Sequence, residues 1–263
     1  LALDQGTTGS TALVLDARGR VLGRGYSELP QYFPKPGWVE HDGGEIWASA
    51  ARAVRGALRS GGDPDGRRIA AIGITNQRET TLLWDRKSGR PVARAIVWQD
   101  RRTHDRCQQL RRAGLEGEIR RRTGLVLDPY FSATKLEWLL RASGSRRAAA
   151  KRGALAFGTV DSWLLWKLTG GAVHATDPTN ASRTMLYDIR SKRWSDALLD
   201  RFGVPRAVLP EVHGSSGSFG ATRGVGFLPD GLPIAGVAGD QQAALFGQGC
   251  VTPGSSKNTY GTG

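Results

Sequence analysis

The sequence predicts an α/β fold, a mixed β-sheet with flanking helices on both faces. Two observations predict it. Residues 1–29 show the alternation and β-branched content of consecutive antiparallel strands, and from residue 42 onward helical patterns alternate with short apolar strands. Because no repeat or linker-like segment divides the 263 residues, we expect one continuous unit.

The opening segment is predicted to form strands joined by tight turns. The strands are 1–4, 11–16 and 21–29, separated by a turn rich in Gly and Thr at 6–10 and a second turn at 17–20. Three prolines then interrupt the pattern and predict an ordered loop over 30–41. An antiparallel start of this kind differs from the strand–helix start of a dinucleotide-binding fold.

An amphipathic helix is predicted after this loop. Its apolar positions recur at helical spacing and are Ile46, Ala50, Val54 and Leu58. Asp42 is positioned to cap the first turn, and Gly61 and Gly62 are positioned to end the helix.

The rest of the chain alternates between strands and helices. The predicted strands are 69–75, 80–84, 95–98, 154–157, 185–189, a buried strand at 233–238, and 256–260. The predicted helices lie within 100–143, from a cap at Asp161 to Gly170, over 194–202 and over 241–246.

The number and placement of charged and apolar residues indicate which classes of binding partner to expect. Lys and Arg total 37 against 24 Asp and Glu, which gives a formal net charge of +13. The arginines are spread along the chain and are not interleaved with aromatic residues, so solvated helix faces explain them better than a nucleic-acid partner, and we expect none. No apolar run approaches the roughly 18–20 residues of a membrane helix, so we expect no membrane partner either.

Cysteine and histidine usage gives no disulfide framework and no zinc site. Cys107 and Cys250 lie far apart, and the histidines are scattered without a ligand pair. The start of the sequence lacks the basic segment of a signal peptide. Together these features predict a cytoplasmic protein.

Residues 4–10 are the first candidate for chemistry. A hairpin of small and hydroxyl residues exposes backbone N–H groups that suit phosphates, and Thr7 and Thr8 add hydroxyl donors. Asp4, at the strand end, is suited to hold Mg²⁺ through water. The alternative is an ordinary tight hairpin. No Lys follows the glycines, so this is not a Walker A loop, and 258–263 form a second turn that resembles it.

Further candidates follow or flank the predicted strands. Asp240 comes after an apolar strand and can accept a proton from a hydroxyl nucleophile, or it can cap the next helix. Arg78 and Glu79 combine donors with an acceptor and can grip vicinal hydroxyls, or they form an exposed pair in a turn. Trp98 and Tyr130 lie near strand or loop ends, where most aromatic residues belong to the core. Together these groups suit a site that brings a polyol to a nucleotide.

The candidates belong to longer motifs that follow one another along nearly the whole chain. The motifs are 2–8, 34–41, 73–81, 96–99, 128–132, 239–248 and 257–263. They resemble the glycerol kinases of the FGGY carbohydrate kinase family. The run Asn-Gln-Arg-Glu-Thr at 76–80 discriminates best, because related sugar kinases carry a different sequence after that strand. The resemblance implies ATP-dependent phosphorylation of glycerol to sn-glycerol 3-phosphate, on a ribonuclease H-like lobe of the actin, Hsp70 and hexokinase type.

The resemblance also implies a role for each candidate residue. The residues that would bind the hydroxyls of glycerol are Arg78, Glu79, Tyr130, Asp240 and Gln241, with Trp98 packed on the carbon backbone. Asp240 would also be the catalytic general base. The residues that would contact ATP phosphates are Thr7, Thr8, Gly9 and Thr262, and Asp4 would position Mg²⁺.

Two stretches depart from the family pattern. Gly9, Ser10 and Thr11 stand where the family often has Ser-Ser-Arg, so one cationic contact to the phosphates is absent. Gly231 stands where some bacterial members have an Arg in a loop that binds a regulatory sugar bisphosphate, which argues against that regulation.

Domain organisation follows from the same resemblance. It identifies 1–263 as the N-terminal, substrate-binding lobe, with the C-terminal, adenosine-binding lobe absent from this chain. Because both lobes close around ATP, we expect the isolated chain to be inactive or feeble, and the full-length protein to be a homo-oligomer. The alternatives are another polyol or sugar kinase of the family, and a lobe that acts only in binding.

Overall fold

The computed structural model describes residues 1–259 and confirms a mixed α/β fold. The strands are β1 Ala2–Gln5, β2 Gly9–Leu15, β3 Val21–Glu28, β4 Glu40–His41, β5 Ile72–Asn76, β6 Leu82–Asp85, β7 Ala95–Ile96, β8 Leu155–Gly158, β9 Ala175–Thr176, β10 Tyr187–Asp188, β11 Arg193–Trp194, β12 Glu211–Val212 and β13 Ile234–Gly239. The helices are α1 Gly43–Ser60, α2 His104–Arg112, α3 Glu116–Thr123, α4 Ser132–Arg141, α5 Gly144–Lys151, α6 Val160–Leu168, α7 Pro178–Ala181, α8 Asp196–Phe202 and α9 Asp240–Gly247, with a 3-10 turn at Arg206–Val208. Among these helices, none is both long enough and apolar enough to cross a membrane.

The central sheet has five strands in the order β13-β5-β1-β2-β3. The antiparallel opening predicted from the sequence is confirmed, since β1 pairs antiparallel with β2, and β2 with β3. β5 pairs parallel with both β1 and β13. The carboxyl ends of β1, β5 and β13 therefore meet at one edge of the sheet.

Helix α1 begins and ends where the sequence predicts. The Asp42 side chain accepts a hydrogen bond from the backbone N–H of Gly44 at 2.7 Å, and Gly61 caps the carboxyl end. The helix lies very close to β3, because a Cβ atom at Gly25 would stand only 2.0 Å from the carbonyl oxygen of Ala53. Glycine at position 25 is thus what allows the helix and the strand to approach.

One face of the sheet is covered by α1 and α6. The buried strand residues on this side are Leu3, Ala12, Val14, Ile72, Ile74, Ile234 and Val237. The opposite face opens onto a hollow of about 910 Å³, which α9 borders along the β13 side. None of the α9 residues is buried. Helices thus lie on both faces, as predicted, but they cover the two faces unequally.

A second hydrophobic core lies beside the sheet. It joins β6 and β8 to helices α2, α3, α4, α5 and α8. Phe131 and the aliphatic side chains of α4 are part of this core, which fixes the segment 128–132 next to the carboxyl edge of the sheet.

Several element predictions were wrong. Asp161 does not cap α6; Thr159 occupies the cap position, and Asp161 lies in the first turn, where it accepts a hydrogen bond from the Thr176 hydroxyl at 2.6 Å. The strand predicted as buried is only partly so, since Ile234 and Val237 lie in the core whereas Ala235 is exposed. Residues 256–259 form no strand, and Tyr260, the end of that prediction, lies outside the described residues.

Two helices were not predicted from the sequence. α5 is rich in Arg and Ala and buries only Ala150, so it carries almost no apolar pattern. α7 has four residues, too few for any periodicity, and is held by Asp177, whose side chain accepts from the backbone N–H groups of Thr179 and Asn180.

Candidate active site

A polar pocket of about 450 Å³ lies where the carboxyl ends of β1, β5 and β13 meet. Each of these strands is followed by candidate residues, because parallel strands deliver their next residues to the same edge. The pocket is lined by Thr7, Thr8, Gln31, Gln77, Arg78, Glu79, Trp98, Gln99, Tyr130, Asp240, Gln241 and Thr259. The structure thus brings together the groups predicted from the sequence, which are the Arg78–Glu79 pair, Trp98, Tyr130, Asp240 and the turn that contains Thr7 and Thr8.

Arg78 and Asp240 form an ion pair in the wall of this pocket. The Arg78 Nε atom lies 3.1 Å from Asp240 Oδ1, yet within the described residues it has no partner with hydrogen-bond geometry. The Arg78 side chain is only 12% exposed, and its Nη1 atom donates to the Gln242 side chain at 3.3 Å. A buried N–H without a partner is costly, so Arg78 is prepared to donate to an incoming hydroxyl or phosphate oxygen.

Asp240 begins α9 rather than capping it. Gly239 occupies the cap position, without a side-chain hydrogen bond, and Asp240 Oδ1 accepts from the N–H of Gln241 at 2.7 Å. Its side chain is 38% exposed. The carboxylate is therefore open to solvent while it borders the pocket.

The end of β13 is held by a network that reaches α7. The N–H of Gly239 donates to the Thr179 hydroxyl at 2.7 Å, and the Asp177 carboxylate accepts from the Ser215 hydroxyl at 2.7 Å. Asn180 and Asn76 exchange side-chain hydrogen bonds at 2.9 and 3.2 Å. These bonds tie α7 to the ends of both β5 and β13, and so fix the strand ends that precede the candidate residues.

Glu79 has an unusual backbone for a glutamate. Its φ of 62° lies in the left-handed region, and the residue is 1% exposed. The Glu79 carboxylate accepts from Arg183 Nε at 2.6 Å. Burial raises the pKa of Glu79, and the charges of Arg183, Arg78 and Lys135 oppose that rise.

An aromatic wall closes one side of the pocket. The rings of Trp98 and Tyr130 have centroids 5.5 Å apart, and the Trp98 indole donates to the Thr7 hydroxyl at 2.8 Å. The backbone of Tyr130 is fixed from two sides, by the Asp128 carboxylate at its N–H and by the Lys135 ammonium at its carbonyl oxygen, at 2.8 and 2.6 Å. Trp98 and Tyr130 are therefore not ordinary core residues.

The threonine turn is closed by backbone hydrogen bonds. The N–H of Gly6 donates to the carbonyl oxygen of Gly9, and the N–H of Leu29 donates to that of Thr8, both at 2.9 Å. Gly9 is buried at the start of β2 and does not line the pocket; a Cβ there would lie 2.6 Å from the Tyr26 hydroxyl. Close packing accounts for this glycine, and its contact with phosphate stays a prediction.

Asp4 lies in the open hollow beside the pocket rather than in the pocket itself, and Asp240 borders both. Desolvation and the charge of Asp240 raise the pKa of Asp4 to about 6. Thr11, where the family often has Arg, pairs with Asp4 across β1 and β2 and lines the same hollow.

These two carboxylates fit a magnesium ion that arrives with a nucleotide. Within residues 1–259, no group of three or more His, Cys, Asp or Glu side chains could hold a metal ion alone. Mg²⁺ is commonly held by one or two carboxylates together with phosphate oxygens and water. The neighbouring charges of Asp4 and Asp240 suit that arrangement.

The last described residues border the pocket. Lys257 Nζ donates to Gln241 Oε1 at 2.7 Å, and the Thr259 hydroxyl donates to the same oxygen at 3.0 Å. Thr262, predicted to contact phosphate, lies outside the described residues.

Several residues of the site were not singled out from the sequence. Gln31, Gln77, Gln99 and Thr259 line the pocket, and Gln99 Oε1 is a buried oxygen without a partner among the described residues. Gln77 and Gln99 each lie next to a candidate residue in the sequence, and this adjacency could have identified them as site residues. Arg183 and Lys135 lie far from the candidates in sequence, and no local pattern identifies them.

Comparison with known proteins identifies the family. The model of the FGGY family of carbohydrate kinases, N-terminal domain, matches residues 1–247. A glycerol kinase of Alkalilimnicola ehrlichii is 60% identical over 100% of this chain and 53% of its own length. A glycerol kinase of Myxococcus xanthus is 57% identical, again over 100% of this chain and 53% of its own length. The chain thus spans about half the length of the curated relatives it matches.

Solved structures agree with the fold. A Plasmodium falciparum glycerol kinase with ADP superposes with a TM-score of 0.89 at 33% identity, covering 94% of this chain and 49% of that one. A xylulose kinase of Rhodospirillum rubrum gives a TM-score of 0.86 at 24% identity, covering 96% of this chain and 51% of that one, and supports the fold alone. Because the family model matches residues 1–247, the chain belongs to the FGGY family of carbohydrate kinases.

Proposed function

We propose that the chain is the substrate-binding lobe of an ATP-dependent glycerol kinase, which converts glycerol to sn-glycerol 3-phosphate. The observation that carries the proposal is the convergence of Arg78, Glu79 and Asp240 on one pocket with the Thr7–Thr8 turn. The glycerol kinase names of relatives at 57% and 60% identity support it, as does the ADP in the Plasmodium falciparum structure.

The pocket offers a complementary set of contacts to a small polyol. Arg78 would donate through Nε to one hydroxyl, and the Glu79 carboxylate would accept from a neighbouring one. Trp98 would pack on the carbon backbone, and Tyr130 and Gln241 would contact the remaining hydroxyls. Such contacts orient the substrate, which supplies much of the rate in phosphoryl transfer.

Asp240 would act as general base on the terminal hydroxyl. As it accepts the proton, the hydroxyl oxygen forms a bond to the γ-phosphorus of ATP, and the bond from that phosphorus to the ADP oxygen breaks in line. ADP leaves with the electron pair, and the exposed carboxylate returns its proton to solvent. Thr7 and Thr8 would donate to the phosphates, and Mg²⁺ held near Asp4 and Asp240 would supply charge neutralisation.

Calorimetric titration with glycerol, erythritol, xylulose and gluconate tests the substrate class. We expect glycerol to bind most tightly, and Glu79→Gln to weaken it by about tenfold or more, because a charged hydrogen-bond partner is lost. The matched control is Glu137→Gln, which changes an equally buried carboxylate on α4, outside the pocket. Absence of glycerol binding, or equal loss in both variants, would contradict the proposal.

Another sugar kinase of the family is the second candidate. The pocket volume of about 450 Å³ leaves room for a polyol longer than three carbons. Tighter binding of erythritol, xylulose or gluconate than of glycerol would select this candidate.

The role of this chain as a lobe is tested by ADP release in the presence of ATP and glycerol. We expect little turnover from the 263 residues alone, since a second lobe would bind the adenosine. Robust turnover would contradict the proposal that a second lobe binds the adenosine, but it would not contradict the proposed polyol site. Cytoplasmic location, supported by free thiols at Cys107 and Cys250, and homo-oligomeric assembly of the full-length protein stay predictions.

A further inference from the structure

We propose that Arg183 is a positioning residue for polyol recognition, which holds the Glu79 carboxylate and the Tyr130 ring in the orientation that meets the substrate. Arg183 does not itself line the pocket, so it would act through these two side chains. The inference rests on the proposed polyol-binding function.

The first support is the strained backbone of Glu79. A non-glycine residue in the left-handed region costs free energy and persists only where its surroundings over-determine it. The Glu79 carbonyl oxygen accepts from the Ser132 hydroxyl at 3.1 Å and the Thr81 hydroxyl at 3.0 Å. These bonds hold the backbone of Glu79, and the bond from Arg183 holds its carboxylate. Both ends of the residue are therefore fixed in place.

The second support is the placement of the Arg183 guanidinium. Its carbon lies 4.9 Å from the Phe131 ring centroid and 5.7 Å from that of Tyr130, within the range of cation–π attraction. The same group donates to the Glu79 carboxylate at 2.6 Å. One side chain thus contacts two pocket residues that come from different elements, the β5–β6 connection and the segment before α4.

The third support is the anchoring of Arg183 itself. Its backbone N–H donates to the Asn180 carbonyl oxygen at 3.0 Å, and the Asn180 side chain bonds to Asn76 at the end of β5. The segment that carries Arg183 is therefore tied to the same strand end that leads into Glu79.

The positive charge of Arg183 favours the ionised form of the Glu79 carboxyl group. The basic groups that face Glu79 are Arg183, Arg78 and Lys135, and burial lowers the pKa of Lys135 to about 7. Arg78 is directed toward Asp240, and Lys135 is bonded to the Tyr130 carbonyl oxygen. Of the three, Arg183 alone donates a hydrogen bond to the Glu79 carboxylate among the described residues. It lowers the pKa of Glu79 against the effect of burial, and an ionised Glu79 can only accept hydrogen bonds, as a substrate hydroxyl requires.

The test measures glycerol affinity of the 263-residue chain between pH 5.5 and 9 by calorimetry or ligand-observed NMR. In Arg183→Gln the pKa of Glu79 should rise, so that Glu79 becomes protonated as pH falls. We expect affinity about tenfold weaker than wild type near pH 6, with partial recovery toward pH 9. Arg183→Lys restores the charge without the planar fork and should restore the wild-type pH profile at reduced affinity.

Arg106→Gln is the matched control. The Arg106 and Glu137 side chains are 28% and 3% exposed, close to the 25% and 2% of Arg183 and Glu79, but this pair lies outside the pocket. A structural loss common to both pairs would lower stability in both variants, whereas only Arg183→Gln should change the pH profile of binding. An Arg183→Gln variant that binds glycerol like wild type at every pH would overturn the inference.

The double variant Glu79→Gln/Arg183→Gln covers the case in which an unpaired buried carboxylate prevents folding. It leaves no charge at the pair, and we expect weak glycerol binding without the pH dependence that Arg183→Gln adds to that of wild type. Lys135, whose pKa burial lowers to about 7, titrates in every variant alike. A double variant with the same added pH dependence as Arg183→Gln would refute the inference. If the wild-type chain binds none of the polyols, the proposed function fails instead, which separates the two outcomes.

Discussion

One face of the central sheet lies beneath α1 and α6, whereas the other opens onto the hollow beside α9. Glycines occur on both faces but serve different purposes. Gly25 lets the α1 backbone approach, while a Cβ at Gly73 would meet no atom within 4 Å. Leu13 lines the hollow, but Ile74 is 3% exposed within the packed core. The comparison teaches that the packed face determines the fold, and the open face is free to carry other contacts.

The largest difference is expected from alanine at these two glycines. In Gly25→Ala the new Cβ would collide with backbone that cannot move away, and we expect a loss of at least about 3 kcal/mol in the free energy of unfolding. Gly73→Ala should remain within about 1 kcal/mol of wild type, because the new Cβ would meet no atom and glycine inside a strand is no more stable than alanine. Denaturant unfolding of both variants measures this. Similar losses at both positions would remove the distinction between the faces.

Truncation of aliphatic side chains gives the next largest contrast. Ile74→Ala would leave a cavity beneath α6 and should cost about 2–5 kcal/mol. Leu13→Ala removes a half-buried side chain and should cost about 1 kcal/mol. Both are measured by chemical denaturation at fixed pH, and a greater cost at Leu13 would show that the hollow is packed in solution.

Acid titration tests the packed core by another route, because a neutral histidine packs against Trp84 and Trp166 of that core. His174 Nδ1 accepts from Arg86 at 2.8 Å, and its Nε2 lies 2.7 Å from the Phe157 carbonyl oxygen, as suits the neutral ring. Burial lowers the pKa of His174 to about 4. Since the unfolded chain takes up a proton near pH 6.5 and the folded chain does not, stability should fall as pH drops from about 6.5 to 4.

His174→Gln offers an acceptor and a donor in place of the two ring nitrogens and removes the titration. We expect it to lessen the acid-dependent loss of stability by about 2 kcal/mol. Unfolding curves recorded at pH 7, 5.5 and 4.5 make this visible, and parallel pH dependences for the two proteins would disprove the assignment.

The smallest effect concerns the open face. Leu13→Gln should reduce the fluorescence of an apolar dye bound in the hollow, and should cost no more stability than the loss of about 1 kcal/mol expected for Leu13→Ala. Unchanged dye binding would place the apolar surface elsewhere on the molecule.

The same contrast explains how much of the fold could be predicted. The α1 helix and the antiparallel opening carry strong local patterns, a cap at Asp42 and regular alternation, and both are confirmed. β13 was predicted as buried, but only one of its faces packs on the core, which its run of small apolar residues does not reveal. The cap at Asp161 was misassigned, since that carboxylate bonds to Thr176 on another element, which local sequence cannot indicate.

The candidate site could be predicted for the residues that directly follow parallel strands. Asp240 and the Arg78–Glu79 pair follow parallel strands, and the structure brings them into one pocket, although their roles stay predictions. Arg183 could not be found in this way, because it reaches Glu79 from 104 residues away in the chain. A positive φ at Glu79 was also unforeseen, since glutamate carries no signal for it.

The bond between Asn76 and Asn180 spans 104 residues, and that between Gly239 and Thr179 spans 60. Contacts of such separation form late, because the intervening chain must first lose its freedom. During synthesis, a chain that has emerged only as far as α6 would hold most of the sheet but no complete pocket. Acquisition of ligand affinity would therefore report the last step of folding rather than the first.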